Sequence, residues 1–259
     1  MSPHKVIDVF DRLAPEYDTV LPFFTAMAER IVAAVPIAAG TRVLDLGAGA
    51  GAVTGQALAR GARVTAVDAA PAMVSRLRAG HPRAESAVMD AHRLDFPDAS
   101  FDVVVASFVM HLVDEPDAAA REVSRVLAPG GVFALTLPGP PPGWPRAREH
   151  DLWAEYSQYL LPGGEIGRPL DVSALLSGAG FTDVAVGPAE VDLAVPGGGQ
   201  TLWRWYLSHG TIVFIDHLPP GRRAEFRRRV IAGEVGSERL HAVASLWTGR
   251  AGYSVARLP

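Results

Sequence analysis

The residues best suited to chemistry lie in the segment Val43-Leu44-Asp45-Leu46-Gly47-Ala48-Gly49-Ala50-Gly51-Ala52. A short apolar run ends there in alternating glycines, and helical character follows from Val53 to Leu58. A glycine-rich turn between a strand and a helix lets a ligand approach the backbone and points the free N–H groups of the helix at it. Gly47, Gly49 and Ala52 also satisfy the dinucleotide pattern G-x-G-x-x-G/A, so a nicotinamide oxidoreductase is one reading of the loop and a tight turn without ligand another. Three carboxylates bear on the choice. Asp45 stands two residues before the first glycine, where a carboxylate repels a pyrophosphate but suits a ligand with an ammonium group. Asp68 lies 21 residues after Gly47, where a carboxylate can accept two ribose hydroxyls in either class of ligand. Asp90-Ala91 follows a third apolar run, and a carboxylate there can accept the amino group of an adenine. His111, in Phe108-Val109-Met110-His111-Leu112, stands where an open α/β sheet binds ligands and is the best candidate for a general base; packing in the loop is the plainer alternative.

These residues need a scaffold of alternating strands and helices. Thr41–Leu46, Arg63–Val67, Ala84–Met89, Phe101–Ala106 and Val132–Leu137 read as five buried strands. Helical patterns stand before the first strand and between most of the others: Val6, Phe10 and Leu13; Phe24, Met27, Ile31 and Val35; Val53–Leu58; Pro71–Arg78; Asp117–Leu127. Strands that are apolar on both faces indicate a parallel sheet covered by helices on both sides. Beyond Leu137 the pattern changes. Five prolines in Pro138–Pro145 make a loop, and a helical stretch follows around Trp153, Tyr156, Tyr159 and Leu160. Leu170–Leu176 reads as a helix, Phe181–Val186 and Glu190–Val195 as extended segments, and Gly197-Gly198-Gly199 as a hinge-like break. Leu202–Phe214 reads as one aromatic helix, Arg222–Ile231 as a basic one and Leu240–Trp247 as a last strand.

The ordered set VLDLGAGAG, the Asp68 of TAVDAA, MDAHRLDFPDASFDVV and EVSRVLAPGG resembles the class I S-adenosylmethionine-dependent methyltransferases. It is most similar to their small-molecule group, which includes the ubiquinone and menaquinone enzymes, and the opening FDRLAPEYD resembles that group's N-terminal signature. The resemblance covers about residues 8–137; APGG and GAGAG stand where KPGG and GCGTG are commoner, and neither change removes a needed group. It implies a Rossmann-like, doubly wound, mostly parallel seven-stranded α/β sheet with helical lid insertions. It also implies that Gly47, Gly49 and Gly51 pass under the methionine part of S-adenosylmethionine, whose product is S-adenosylhomocysteine. Asp45 would then support the ammonium, Asp68 the ribose, and Asp90 and Ala91 the adenine. Ser107 would offer its carbonyl to the ammonium and Tyr17 would close over the methionine end, with Ala69 and Met73 completing the set. A protein of the same fold that catalyses another reaction, such as a cyclisation, carries the same motifs.

On this reading residues 1–259 are a single domain. Residues 1–137 form the cofactor half, and 138–259 an acceptor half with insertions near 138–169 and 197–236. Trp144, Trp153, Tyr156, Tyr159, Trp203, Trp205, Tyr206 and Phe214 concentrate in the second half and suit a planar, largely apolar acceptor under a lid, as does plain packing of added helices. His150, His209 and His217 lie there too and are lesser candidates for reaching it. O- or C-methylation of a small molecule follows. The Ala-, Gly-, Pro- and Arg-rich usage resembles that of methyltransferases tailoring polyketides and other secondary metabolites. With 24 Lys plus Arg against 28 Asp plus Glu, the net charge of −4 gives no electrostatic reason to bind nucleic acid or an anionic membrane. The arginines at 222, 223, 227, 228 and 229 read as a solvated helix face. The absence of cysteine removes disulfides and thiolate metal sites, and no metal is expected. No charged start leads into an apolar stretch and no run nears the ~20 apolar residues of a membrane helix, so a cytoplasmic protein is expected, with a homodimer left open.

Overall fold

The computed structural model describes residues 3–144, 152, 155–156, 159, 170–234 and 238–252. Helices α1 (Pro3–Leu13) and α2 (Phe23–Ala33) lead into β1 (Arg42–Leu46), α3 (Ala52–Ala59), β2 (Arg63–Asp68), α4 (Pro71–Gly80) and β3 (Glu85–Val88). Then come β4 (Phe101–Ser107), α5 (Pro116–Val126), β5 (Leu127–Pro138), α6 (Val172–Gly178) and β6 (Phe181–Ala194). Helices α7 (Gly199–Leu207), α8 (Thr211–His217) and α9 (Pro220–Ile231) precede the last strand, β7 (Arg239–Ala251). The seven strands form one sheet in the order β3-β2-β1-β4-β5-β7-β6. β1 to β5 run parallel, and β7 is antiparallel to both β5 and β6.

The apolar runs explain the two-faced core. Side chains alternate across a strand, so Val103 and Val105 of β4 enter one cluster with α2 and α3, while Val104 and Ala106 enter the other with α5 and α6. β1 divides in the same way at Val43 and Leu44. The chain order reverses between β1 and β4, and at such a switch point the carboxyl ends of an open sheet leave a crevice.

Three details differ from the sequence reading. Phe181–Val186 and Glu190–Ala194 belong to one long strand, β6, with an irregularity between Thr182 and Ala185. The aromatic helix is two helices, because the Trp205 carbonyl already accepts from the Ser208 N–H at 2.9 Å, the Ser208 hydroxyl at 2.8 Å and His209 Nδ1 at 2.7 Å. The triple glycine is not a hinge but a contact. A Cβ on Gly199 would stand 2.5 Å from the carbonyl oxygens of both Val230 and Ile231, so glycine lets the start of α7 lie against the end of α9. The basic face of α9 is ion-paired in part, Arg222 with Glu225, Arg223 with Asp216, and Arg229 with Glu155 and Glu234. Among the described residues no helix is long and apolar enough to cross a membrane.

Candidate functional site

The turn after β1 has all three glycines in the left-handed region, with φ of +65°, +53° and +95° at Gly47, Gly49 and Gly51, yet they serve different ends. A Cβ on Gly47 would come 2.4 Å from Val109, and one on Gly51 2.4 Å from the His81 ring. Both glycines are therefore needed for packing, Gly51 against the end of α4. A Cβ on Gly49 would meet only Tyr17, at 3.8 Å, and Gly49 lines open space on both sides of the loop. Of the three, Gly49 alone leaves its missing side chain's room to a ligand.

Two acidic groups brace this turn. Asp45 is buried, and its Oδ2 accepts the Thr54 N–H at 2.9 Å and the Thr54 hydroxyl at 2.6 Å, which caps the first turn of α3. Burial, with added repulsion from Asp68, outweighs those bonds and pushes its pKa up to about 7. Asp68 accepts the Gly49 N–H on Oδ2 and the Ala70 N–H on Oδ1, both at 2.8 Å, and its pKa too is raised by burial. A carboxylate at the end of β2 thus holds the middle of the glycine loop. A buried and a half-buried carboxylate beside one cradle favour a cationic ligand and oppose a pyrophosphate.

Two cavities meet at Tyr17, Gly47, Gly49 and Ser107. The first, of about 400 Å³, runs past Asp68, Ala69 and Met73 to Asp90, Ala91 and His92, and is walled by Val109 and Leu112. Helix α1 adds a further wall through Val6, Ile7 and Phe10. Asp11 accepts the Ala72 N–H at 2.7 Å and Arg76 donates to the Ala14 carbonyl, which ties the end of α1 to α4. The second, of about 370 Å³, lies over Asp45 and the start of α3, with Phe24, Arg76 and His81. Tyr17 stands between the two, stacked on Phe24 at 4.8 Å and edge-on to Phe10 at 6.1 Å, and burial raises its pKa. Tyr17, Gly47, Gly49, Asp68, Ala69, Met73, Asp90, Ala91 and Ser107 are thus brought to the first cavity, and Asp45 and Gly51 to the second.

Among the described residues, the other histidine candidates do not line these two cavities. His111 lines neither cavity. It is buried with Nδ1 lacking a hydrogen-bond partner, and burial pushes its pKa down to about 4. In this arrangement the ring is kept neutral and weakly basic and lines neither of these two cavities, which favours packing in the loop over the base role. His209 is likewise pushed down to about 4 by burial, with Nδ1 on the Trp205 carbonyl and Nε2 on the Thr211 hydroxyl at 2.8 Å. His217 is bonded to the Val213 carbonyl at 2.6 Å. His150 and Trp153 lie outside the described residues. Trp205 and His209 reach the site at one remove: Trp205 touches Phe23, and His209 touches Phe24, which lines the second cavity. Trp144 is exposed.

Sequence reasoning missed several lining residues. Phe108 has φ of +57°, a conformation that costs a bulky residue about 1–3 kcal/mol and that collects at functional sites. It packs edge-on to Phe24 at 5.8 Å and lines the first cavity. Nothing in the sequence signals that backbone. His92, which lines that cavity, and Asp11, which braces α1 beside it, had a signal, a polar residue within a recognised motif, but their partners are 23 and 61 residues away.

The chain matches a family model described as a methyltransferase domain over residues 44–135. It is 33% identical over 245 residues to nocamycin O-methyltransferase of Saccharothrix syringae, covering 83% of this chain and 86% of that one. Over 160 residues it is 36% identical to demethylmenaquinone methyltransferase of Clavibacter sepedonicus, covering 59% of this chain and 65% of that one. Among solved structures, the YcgJ protein of Bacillus subtilis superposes with a TM-score of 0.59 at 19% identity, over 88% of this chain and 99% of that one. The [4+2]-cyclase SpnF superposes with a TM-score of 0.51 at 20% identity, over 90% and 81% of the two chains. These two likenesses show the fold. The relationship to the nocamycin enzyme along most of both chains shows more: this chain belongs to the class I S-adenosylmethionine-dependent methyltransferases of the small-molecule type.

Proposed function

We propose that this chain binds S-adenosylmethionine across the two cavities and transfers its methyl group to the oxygen or carbon of a small, apolar or aromatic acceptor in secondary metabolism. The observation that carries the cofactor reading is the pair of carboxylates, Asp45 and Asp68, beside a Gly49 whose Cβ position opens on the cavity. The residues fit a ligand with a cationic amino-acid end and a ribose. Asp68 would take the ribose hydroxyls, Asp90 and Ala91 the adenine, and Gly49 and Ser107 the methionine part, with Asp45 facing the ammonium and Tyr17 closing over that end. The cofactor supplies an activated methyl on a sulfonium, so the chain's task is to hold the acceptor in line and keep water out. The ring set Tyr17, Phe24 and Phe108 supplies the apolar wall for this, backed by Trp205 and His209. Residues 1–137 would be the cofactor half and 138–259 the acceptor half, in a cytoplasmic enzyme. Neither His111 nor His209 lines these two cavities, which favours an acceptor that is nucleophilic when it arrives or is activated by position.

The test is product analysis. Purified protein is incubated with methyl-labelled S-adenosylmethionine and a panel of phenols, enols and carboxylic acids of aromatic or polyketide character. Label in an extracted product, with one S-adenosylhomocysteine released per methyl, is the expected result. Conversion of an acceptor without transfer of label would replace methylation by another reaction on the same scaffold.

A further inference from the structure

The rim of the first cavity holds an arrangement that the cofactor reading does not use. The His92 ring sits between two loops. Its Nδ1 lies 2.6 Å from Asp90 Oδ1, which also accepts the His92 N–H at 2.9 Å. Its Nε2 lies 3.3 Å from the backbone nitrogen of Glu115, the residue that precedes the first turn of α5. The Glu115 N–H can only donate, so Nε2 accepts, and Nδ1–H donates to the Asp90 carboxylate. Each ring nitrogen therefore has a defined role. Both bonds from His92 fall on the same oxygen, Oδ1, and Asp90 and His92 both line the cavity. The stretch that follows is anchored to the same helix. Glu122 accepts the Leu94 N–H at 2.9 Å, and Arg125 donates to the carbonyls of Leu94 and Phe96, each at 2.7 Å. The loop after β3 is thus pinned to α5 near both ends of that helix, and His92 is the pin nearest the cavity.

We propose that His92 is a positioning residue that clamps Asp90 Oδ1 and ties it to the start of α5, so that the remaining oxygen, Oδ2, is held to read the 6-amino group of the cofactor's base. This rests on the cofactor reading above. Asp90 is otherwise a side chain lining the cavity that is 68% exposed, and a loose carboxylate discriminates poorly between an amino group and a carbonyl. A held acceptor oxygen rewards the amino group and penalises a 6-oxo base, whose oxygen and ring N–H present the opposite pattern.

The test compares S-adenosylhomocysteine with S-inosylhomocysteine, which carries a 6-oxo base, by calorimetry on the wild type, His92→Phe and His92→Asn. The wild type should prefer the adenosyl ligand by at least about tenfold, as for one charge-assisted hydrogen bond. In His92→Phe that ratio should fall to within about twofold, because adenosyl affinity drops while inosyl affinity holds. His92→Asn, whose side-chain amide can donate where Nδ1–H does, should restore a preference of about fivefold or more. Equal loss of both ligands in His92→Phe would mark a structural role and overturn the proposal, as would an unchanged ratio, or a wild type that does not discriminate. A wild type that binds neither ligand would overturn the cofactor reading itself. If His92→Phe does not fold, His92→Ala takes its place: a ratio that falls to within about twofold supports the clamp, and an unchanged ratio or equal loss of both ligands overturns it.

Discussion

At the scale of the residue, the glycine loop is a charge problem solved by geometry. Asp45 titrates near 3.8 in an unfolded chain and at about 7 in the fold. Between those values the folded state keeps a proton that the unfolded state has lost, so stability falls as pH rises from about 4 to about 7 and levels off above. Asp45→Asn keeps an oxygen for Thr54 and removes this titration. Urea midpoints of ligand-free protein near pH 4.5 and near pH 7.5 should show the variant gaining on the wild type at the higher pH, by less than about 1.4 kcal/mol per pH unit. A difference between the two proteins that does not change with pH would mean that Asp45 is ionised throughout. His111 supports a second prediction. A buried imidazole with an unpartnered Nδ1 is no asset to catalysis away from the cavities, so His111→Leu should lower kcat by less than about threefold, whereas loss of a general base costs about a hundredfold or more. Steady-state rates with any accepted substrate distinguish the two. The placement of Asp45, Gly49 and Asp68 around one crevice was legible in the sequence, because each sits at or just past the end of an apolar run that reads as a strand. Phe108 was not, since its role follows from a left-handed backbone, nor was the division of labour among three identical glycines, which depends on what each missing Cβ would strike.

At the scale of the element, strands were the most legible because their apolar runs serve two cores at once, as Val103 to Ala106 do. The helices of the second half were harder. Apolar periodicity continues from Leu202 to Phe214, and only the competition for the Trp205 carbonyl ends α7 and starts α8. The triple glycine likewise reads as freedom in a sequence and is confinement in the fold. Gly199→Ala should force α7 off the end of α9 and cost about 1–3 kcal/mol, lowering Tm by about 2–4 °C for each kcal/mol in a protein of this size. Gly178→Ala, where a Cβ meets nothing within 4 Å, is the control and should be neutral or slightly stabilising. Thermal melts of the two variants check this, and equal Tm values would mean that α7 and α9 are not locked together.

At the scale of the whole molecule, the sheet's reversal between β1 and β4 opens a crevice, α1 and Tyr17 roof it, and Trp205 of α7 and His209 of the turn after it back the aromatic wall. The sequence announces the crevice through ordered motifs along residues 8–137, while the roof depends on contacts such as Asp11 with Ala72, 61 residues apart. The aromatic wall behaves as support, so Trp205→Ala should raise the acceptor KM or lower kcat while cofactor affinity stays within about twofold; parallel loss of both would show that the wall shapes the cofactor site too. The central claim is that this crevice, held by Asp68 and Gly49, is the cofactor site. Calorimetric titration of the purified chain with S-adenosylhomocysteine, alongside Asp68→Ala, tests it most directly. The account predicts one site of micromolar or tighter affinity, weakened at least about tenfold in the variant as two charge-assisted hydrogen bonds are lost; no binding, or equal affinity in the two proteins, would contradict it.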